Sequence, residues 1–141
     1  MLGTFITKSL EETKELASKI AKEVVTGNVI ALIGDLGTGK TAFTQGFAIS
    51  MGIKEAIGSP TFKLISEYEG RVSWLYHIDC YRLNDIQQFI NIGGEEYLAP
   101  DKGITLIEWA DIIEEILPDD TILINFKRIA CKYNHREIII G

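Results

Sequence analysis

Apolar residues recur along this chain with two different periods. Between Leu10 and Val25 they fall at Leu16, Ile20 and Val24, four apart, which is one stripe of a helix. Ser9 with Glu12 three residues later makes a capping box that opens this helix, and Gly27-Asn28 supplies the residues that end it. Val29-Ile-Ala-Leu-Ile33 is instead a continuous apolar run bounded by glycine, the pattern of a strand buried on both faces. Lys40 to Met51 returns to helical spacing, with Phe43 and Phe47 four apart and Gly52 as the stop. Phe62–Tyr68 and Val72–Ile78 alternate in period two around Glu69-Gly70 and predict a hairpin. Ile104-Thr-Leu-Ile107 is a second buried strand. Short helices are predicted near Asp85–Ile90, broken by Gly93-Gly94, and over Asp111–Leu117, stopped by Pro118. Leu2–Ile6 reads as an edge strand. Thr121–Ala130 and Arg136–Ile140 read as strands joined by the polar turn Lys132–His135. This order predicts an α/β fold, one domain over residues 1–141, with a mixed central β-sheet flanked by helices.

The turn between the first buried strand and the second long helix carries the most specific chemistry. Gly34-Asp-Leu-Gly-Thr-Gly-Lys-Thr41 satisfies G-x-x-x-x-G-K-[ST], the P-loop pattern. A chain of ordinary composition and this length matches it by chance well under about 1% of the time. It also lies where a P-loop must lie, between a buried strand and a helix start. Gly34, Gly37 and Gly39 let the backbone wrap closely, so that successive N–H groups of residues such as Thr38 and Ala42 turn inward on an anion. The helix start adds the positive end of its dipole. Lys40 is expected to reach the β- and γ-phosphates of a nucleotide, and the Thr41 hydroxyl to ligate Mg²⁺. Hydrolysis also needs an acid to organise metal and water. Asp79 and Glu108 each end an apolar run, and on spacing alone either one fits.

Composition removes several classes. Hydrophobic residues make up 46% of the 141, too many for a chain that is mainly disordered. No apolar run approaches the roughly 20 residues of a membrane-crossing helix. The net charge of −6 is the wrong sign for a surface that grips nucleic acid by itself. Cys80 and Cys131 lack metal-ligand spacing, and no secretory leader is visible, so two reduced thiols in a cytoplasmic protein are expected. N-K-x-D and D-x-x-G are both missing, which removes the guanine-reading GTPase pattern. Only four arginines occur, Arg71, Arg82, Arg128 and Arg136, and nothing resembles the arginine-rich lid of a nucleotide kinase.

Four blocks stand in order along the chain: the P-loop, then Ser59-Pro-Thr-Phe62, His77-Ile-Asp-Cys-Tyr-Arg82, and Ile107-Glu-Trp-Ala-Asp111. Together they resemble the TsaE (YjeE) family, small bacterial P-loop ATPases of tRNA threonylcarbamoyladenosine synthesis. Gly94-Glu-Glu-Tyr97 and Arg136 also fit, and the likeness runs over nearly the whole chain. Thr38 stands where the family often has Ala, Ala42 where it often has Thr, and Lys63 is less typical.

The resemblance implies a single P-loop NTPase domain that binds ATP and Mg²⁺ and hydrolyses ATP slowly alone. It implies Thr41 and Glu108 as metal ligands and Asp79 as a second acid that orients water. Thr61 would lie in a nucleotide-sensing loop, and the region of Ser9 and Thr13 would flank the adenine. The implied partners are TsaB and TsaD, with the chain acting as a cycle or reset factor in modification of adenosine 37. Most tRNA contact would be left to those partners. His77, on the face of Asp79, is expected to pack or to support its neighbours. Tyr81, Arg82 and Trp109 gain no fixed role. A small-molecule kinase and a non-hydrolysing ATP-dependent regulator are the competing readings.

Overall fold

The computed structural model describes residues 2–35, 37–58 and 64–141. Its frame is a seven-stranded mixed sheet. The strands are β1 (Gly3–Thr7), β2 (Val29–Ile33), β3 (Ile65–Glu69), β4 (Trp74–Asp79), β5 (Gly103–Glu108), β6 (Ile122–Ile129) and β7 (Lys132–Ile140). Their order across the sheet is β1-β7-β6-β2-β5-β4-β3. The central strands β6, β2, β5 and β4 run parallel, whereas β3 and the β1–β7 and β7–β6 pairs are antiparallel. The continuous apolar runs therefore became the middle of the sheet, where both faces are covered.

Helices α1 (Leu10–Glu23) and α2 (Lys40–Ser50) cover one face, packing Leu16, Ile20, Phe43 and Phe47 onto Leu32, Leu106 and Phe126. On the other face, α3 (Ile86–Asn91) and the 3-10 turns Gly94–Leu98 and Ala110–Ile116 lie over Ala31, Ile78 and Ile107. Strand alternation thus divides each buried strand between two apolar clusters.

The local signals act as their chemistry dictates. The Ser9 side chain accepts from the Glu12 N–H at 3.1 Å, and Glu12 answers by accepting from the Lys8 N–H, so α1 opens on a reciprocal cap. It ends at Glu23 rather than Val25, because Asn28 Oδ1 takes the Val25 N–H at 2.9 Å and Gly27 turns the chain at φ +104°. Asp85 caps α3 in the same way as Ser9 caps α1.

Two boundaries differ from the pattern, and a third falls where nothing tests it. Val72 lies outside β4 and is 96% exposed, since the turn closes between Gly70 and Ser73. Phe62 and Lys63 lie outside the described residues. The polar stretch Lys132–His135 is not the hairpin turn. The chain reverses at Ala130-Cys131, with Cys131 at φ +65° and Ile129 opposite Lys132, while Arg136 pairs with Arg128 across an irregularity. The left-handed residue permits the tight reversal, and the residues of β7 between Lys132 and Arg136 take up the register shift as a bulge.

Candidate functional site

The carboxyl ends of β2, β5 and β4 lie side by side, and the P-loop rises from the first of them. Gly37 and Gly39 have φ of +76° and +105°, a conformation other residues adopt only with strain. A Cβ on Gly34 would stand 2.8 Å from the Phe126 carbonyl, so the loop's first residue must be glycine to pass beneath β6. Gly39 is the N-cap of α2 and carries no side chain to bond the first-turn N–H groups. Helices α1 and α3 are capped by Ser9 and Asp85, whereas the first turn of α2 has no side-chain cap among the described residues and opens on a cavity. That cavity has a volume of about 550 Å³ and is lined by Gly39, Lys40, Thr41, Asp79, Glu108 and Trp109, among others. Gly37 and Ala42 reach it as well.

Lys40 is only 5% exposed. Its Nζ donates to the carbonyls of Gly34 and of Asp35, the latter at 3.0 Å, and lies 3.9 Å from the centre of the Trp109 ring. Burial pulls the Lys40 pKa below its ordinary value, opposed by the negative charges of Glu108, Asp35, Asp111 and Asp79.

The two acids sit in different environments although they are register partners on β4 and β5. Glu108 is 3% exposed, and its Oε2 accepts from Nε2 of His77, 2% exposed, at 2.6 Å. Asp79 is half-buried, and its Oδ1 accepts from the Tyr81 N–H at 2.9 Å, a tight turn that ends β4. His77 shares a face with Asp79 by alternation, yet its hydrogen bond goes to Glu108 on the next strand. Beyond Glu108 the chain turns at once: Trp109 has φ +57°, a left-handed conformation that costs a non-glycine residue about 1–2 kcal/mol. This turn places the indole against Lys40 and 4.9 Å from the Tyr81 ring centre. Trp109 therefore faces the cavity in addition to packing.

The sequence-derived residues divide as follows. Gly37, Gly39, Lys40, Thr41, Ala42, Asp79 and Glu108 converge on one cavity. Gly34 lies beneath it and supplies a carbonyl to Lys40. The Thr38 side chain is turned away, donating to the Asp35 carbonyl at 2.6 Å, so only its backbone is offered to the loop. Thr61 lies outside the described residues. The Ser9 hydroxyl caps α1, and the Thr13 hydroxyl is held by Ser9 O and Thr7 Oγ1. Leu10, Gln45 and Leu64 line the cavity and were missed, and Arg136, which fitted the family pattern without a role, reaches the loop across 99 residues of sequence. The one sequence signal for Leu10 is a large apolar residue at an exposed helix start.

The donor set suits ATP with Mg²⁺. Thr41 and Glu108 offer hard oxygen atoms to the same cavity. Among the described residues there is no cluster of three or more His, Cys, Asp or Glu side chains. Magnesium held with nucleotide phosphates takes one or two protein oxygens rather than a full protein cage, and the chemistry of this site matches that requirement. No helix of the described residues is long and apolar enough to cross a membrane.

Comparison with known proteins places the chain in a family and a fold. The family model for "Threonylcarbamoyl adenosine biosynthesis protein TsaE" matches residues 7–138. A curated tRNA threonylcarbamoyladenosine biosynthesis protein TsaE of Bacillus subtilis is 45% identical over 122 residues, covering 86% of this chain and 75% of that one. Its counterpart in Treponema pallidum is 36% identical over 136 residues, covering 96% and 98%. The crystal structure of Bacillus subtilis YdiB superposes with a TM-score of 0.74 at 37% identity, covering 99% of this chain and 86% of that one.

Proposed function

Because the chain belongs to the TsaE family, we propose that it is an Mg²⁺-dependent ATPase of tRNA N6-threonylcarbamoyladenosine synthesis, stimulated by a TsaB–TsaD complex whose cycle it resets. The observation that carries the nucleotide part is the uncapped N-terminus of α2, wrapped by two left-handed glycines and opening on a cavity that also holds Lys40 and Glu108. The partner part rests on the family alone.

In this reading the N–H groups of the first turn of α2 and the P-loop hold the phosphate chain of ATP. Lys40 exchanges its bonds to the Gly34 and Asp35 carbonyls for phosphate oxygens, keeping a preformed position above the Trp109 ring. Thr41 and Glu108 hold Mg²⁺, and His77 fixes the Glu108 carboxylate from behind through Oε2. When bound, the metal neutralises charge on the phosphates. Asp79, more open than Glu108, orients the attacking water. Catalysis is then mainly electrostatic, from preset N–H groups and the Lys40 ammonium.

The test is phosphate release from ATP by the purified chain, with and without TsaB–TsaD. Release that rises with the partners and is lost in Lys40→Ala and Glu108→Ala is the expected outcome. Release that persists in both variants would place hydrolysis elsewhere. A partner complex active in tRNA modification that leaves release unchanged would remove the reset role.

A further inference from the structure

The geometry points to Arg136 as a positioning residue that sets the orientation of a phosphate-binding amide in the P-loop. The inference rests on the nucleotide-binding reading above. Arg136 lies on β7 opposite Arg128 of β6, so two guanidinium groups leave the sheet side by side next to the loop. One Nη of Arg136 donates to the Tyr133 and His135 carbonyls, both at 2.9 Å, and the other donates to the Gly37 carbonyl at 3.1 Å. A Cβ on Gly37 would run into the Arg128 guanidinium, which shows how closely the pair approaches the loop backbone. The Arg136 Nε is buried without a hydrogen-bond partner among the described residues. The guanidinium is thus oriented to serve three carbonyls at the expense of its own third donor position.

The consequence follows from peptide geometry. A trans peptide is planar, and its C=O and N–H point in opposite directions. No cis peptide occurs among the described residues. Holding the Gly37 carbonyl outward on Arg136 therefore directs the Thr38 N–H inward, to the side where the loop closes on its anion. Gly37, at φ +76°, permits this orientation, but glycine is also the residue that loses it most easily, because its backbone has the widest choice of conformations. The arginine removes that choice. Its planar fork matches three carbonyls, which one ammonium group at its place cannot span. Thr38 suits the role, since its side chain is engaged with Asp35 O and leaves the backbone as its contribution.

The experiment uses the full chain, uniformly labelled with ¹⁵N, with MgADP and MgATP as probes. Nucleotide affinity, the Thr38 amide proton shift on nucleotide addition, and the urea midpoint are measured for wild type, Arg136→Met and Arg136→Lys. Expected are a loss of affinity of about tenfold or more in Arg136→Met, alike for both nucleotides, and a Thr38 shift at most half that of wild type. Arg136→Lys should recover part of both. A residue that only anchors the hairpin would lower the urea midpoint and leave the Thr38 shift intact, which overturns the inference. So does an affinity within twofold of wild type in Arg136→Met. Should Arg136→Met not fold, Arg136→Lys carries the same criteria, with a Thr38 shift equal to wild type as the overturning result. Wild-type protein that binds neither nucleotide would overturn the nucleotide reading, and this inference with it.

Discussion

The P-loop is held from two sides, and the two sides use different physics. Toward β5 and β4 the contacts are buried polar groups: Lys40, Glu108 and His77 are each 5% exposed or less, with Lys40 bonded to loop carbonyls and Glu108 to His77. Toward β7 the contact is a half-buried guanidinium on a backbone carbonyl. In the first set every group depends on its partner, because a desolvated charge left alone is costly. In the second set water can replace the bond that is lost, so what suffers is direction rather than stability. One side stores charge for phosphate, and the other sets the geometry of the amides.

The largest effect expected is on turnover. Lys40→Ala removes the one ammonium that the described residues bring to the cavity and should lower phosphate release by about 10²–10³-fold, the usual cost of one preset charge-stabilising donor. Turnover within a factor of a few of wild type would break the division between charge and geometry. Next in size is a stability contrast. His77→Ala strands the buried Glu108 carboxylate and should cost about 3 kcal/mol in urea unfolding. Asp79→Asn, at a half-buried position, should cost under about 1 kcal/mol while still reducing turnover. Equal costs for the two would show that Glu108 and Asp79 do not differ as their burial suggests.

Glycine substitutions sharpen the geometric half. Gly34→Ala forces a Cβ to 2.8 Å from the Phe126 carbonyl and should cost about 2 kcal/mol, with the loop displaced. Gly93→Ala, at φ +85° with open space around the site, should cost only the backbone term of about 1 kcal/mol. Thermal or urea midpoints of the pair read this directly. The smallest effect belongs to the thiols. Burial, aided by Asp79 and Asp111, pushes the Cys80 thiol up to about 12, whereas Cys131 is exposed at the hairpin tip. Iodoacetamide at pH 8 should label Cys131 and spare Cys80 in the folded protein. Cys131→Ser should change stability by no more than about 0.5 kcal/mol. Rapid labelling of both would mean that the end of β4 opens far more readily than its burial implies.

Much of the site was legible because its parts are local. The P-loop is eight consecutive residues, and its glycines, lysine and threonine act at fixed offsets on one turn. Capping at Ser9 and Asp85, and the apolar runs of β2 and β5, are likewise short-range chemistry. The choice between Asp79 and Glu108 was not local. Spacing left both open, and family resemblance favoured Glu108 as the metal acid. The structure brings them into register and shows which one is buried against His77. The hairpin turn was misplaced because a run of polar residues outweighed one left-handed cysteine, a conformation that composition does not reveal.

Most of the elements, the phosphate loop and the family are written in neighbouring residues, whose spacing is fixed by helix, strand or turn geometry. Which groups meet is settled by the folded sheet: His77 with Glu108, Lys40 with Trp109, Arg136 with Gly37. Those pairs depend on strand order and register, and strand order is settled by how two apolar faces are buried at once, a property of the whole sheet rather than of any segment.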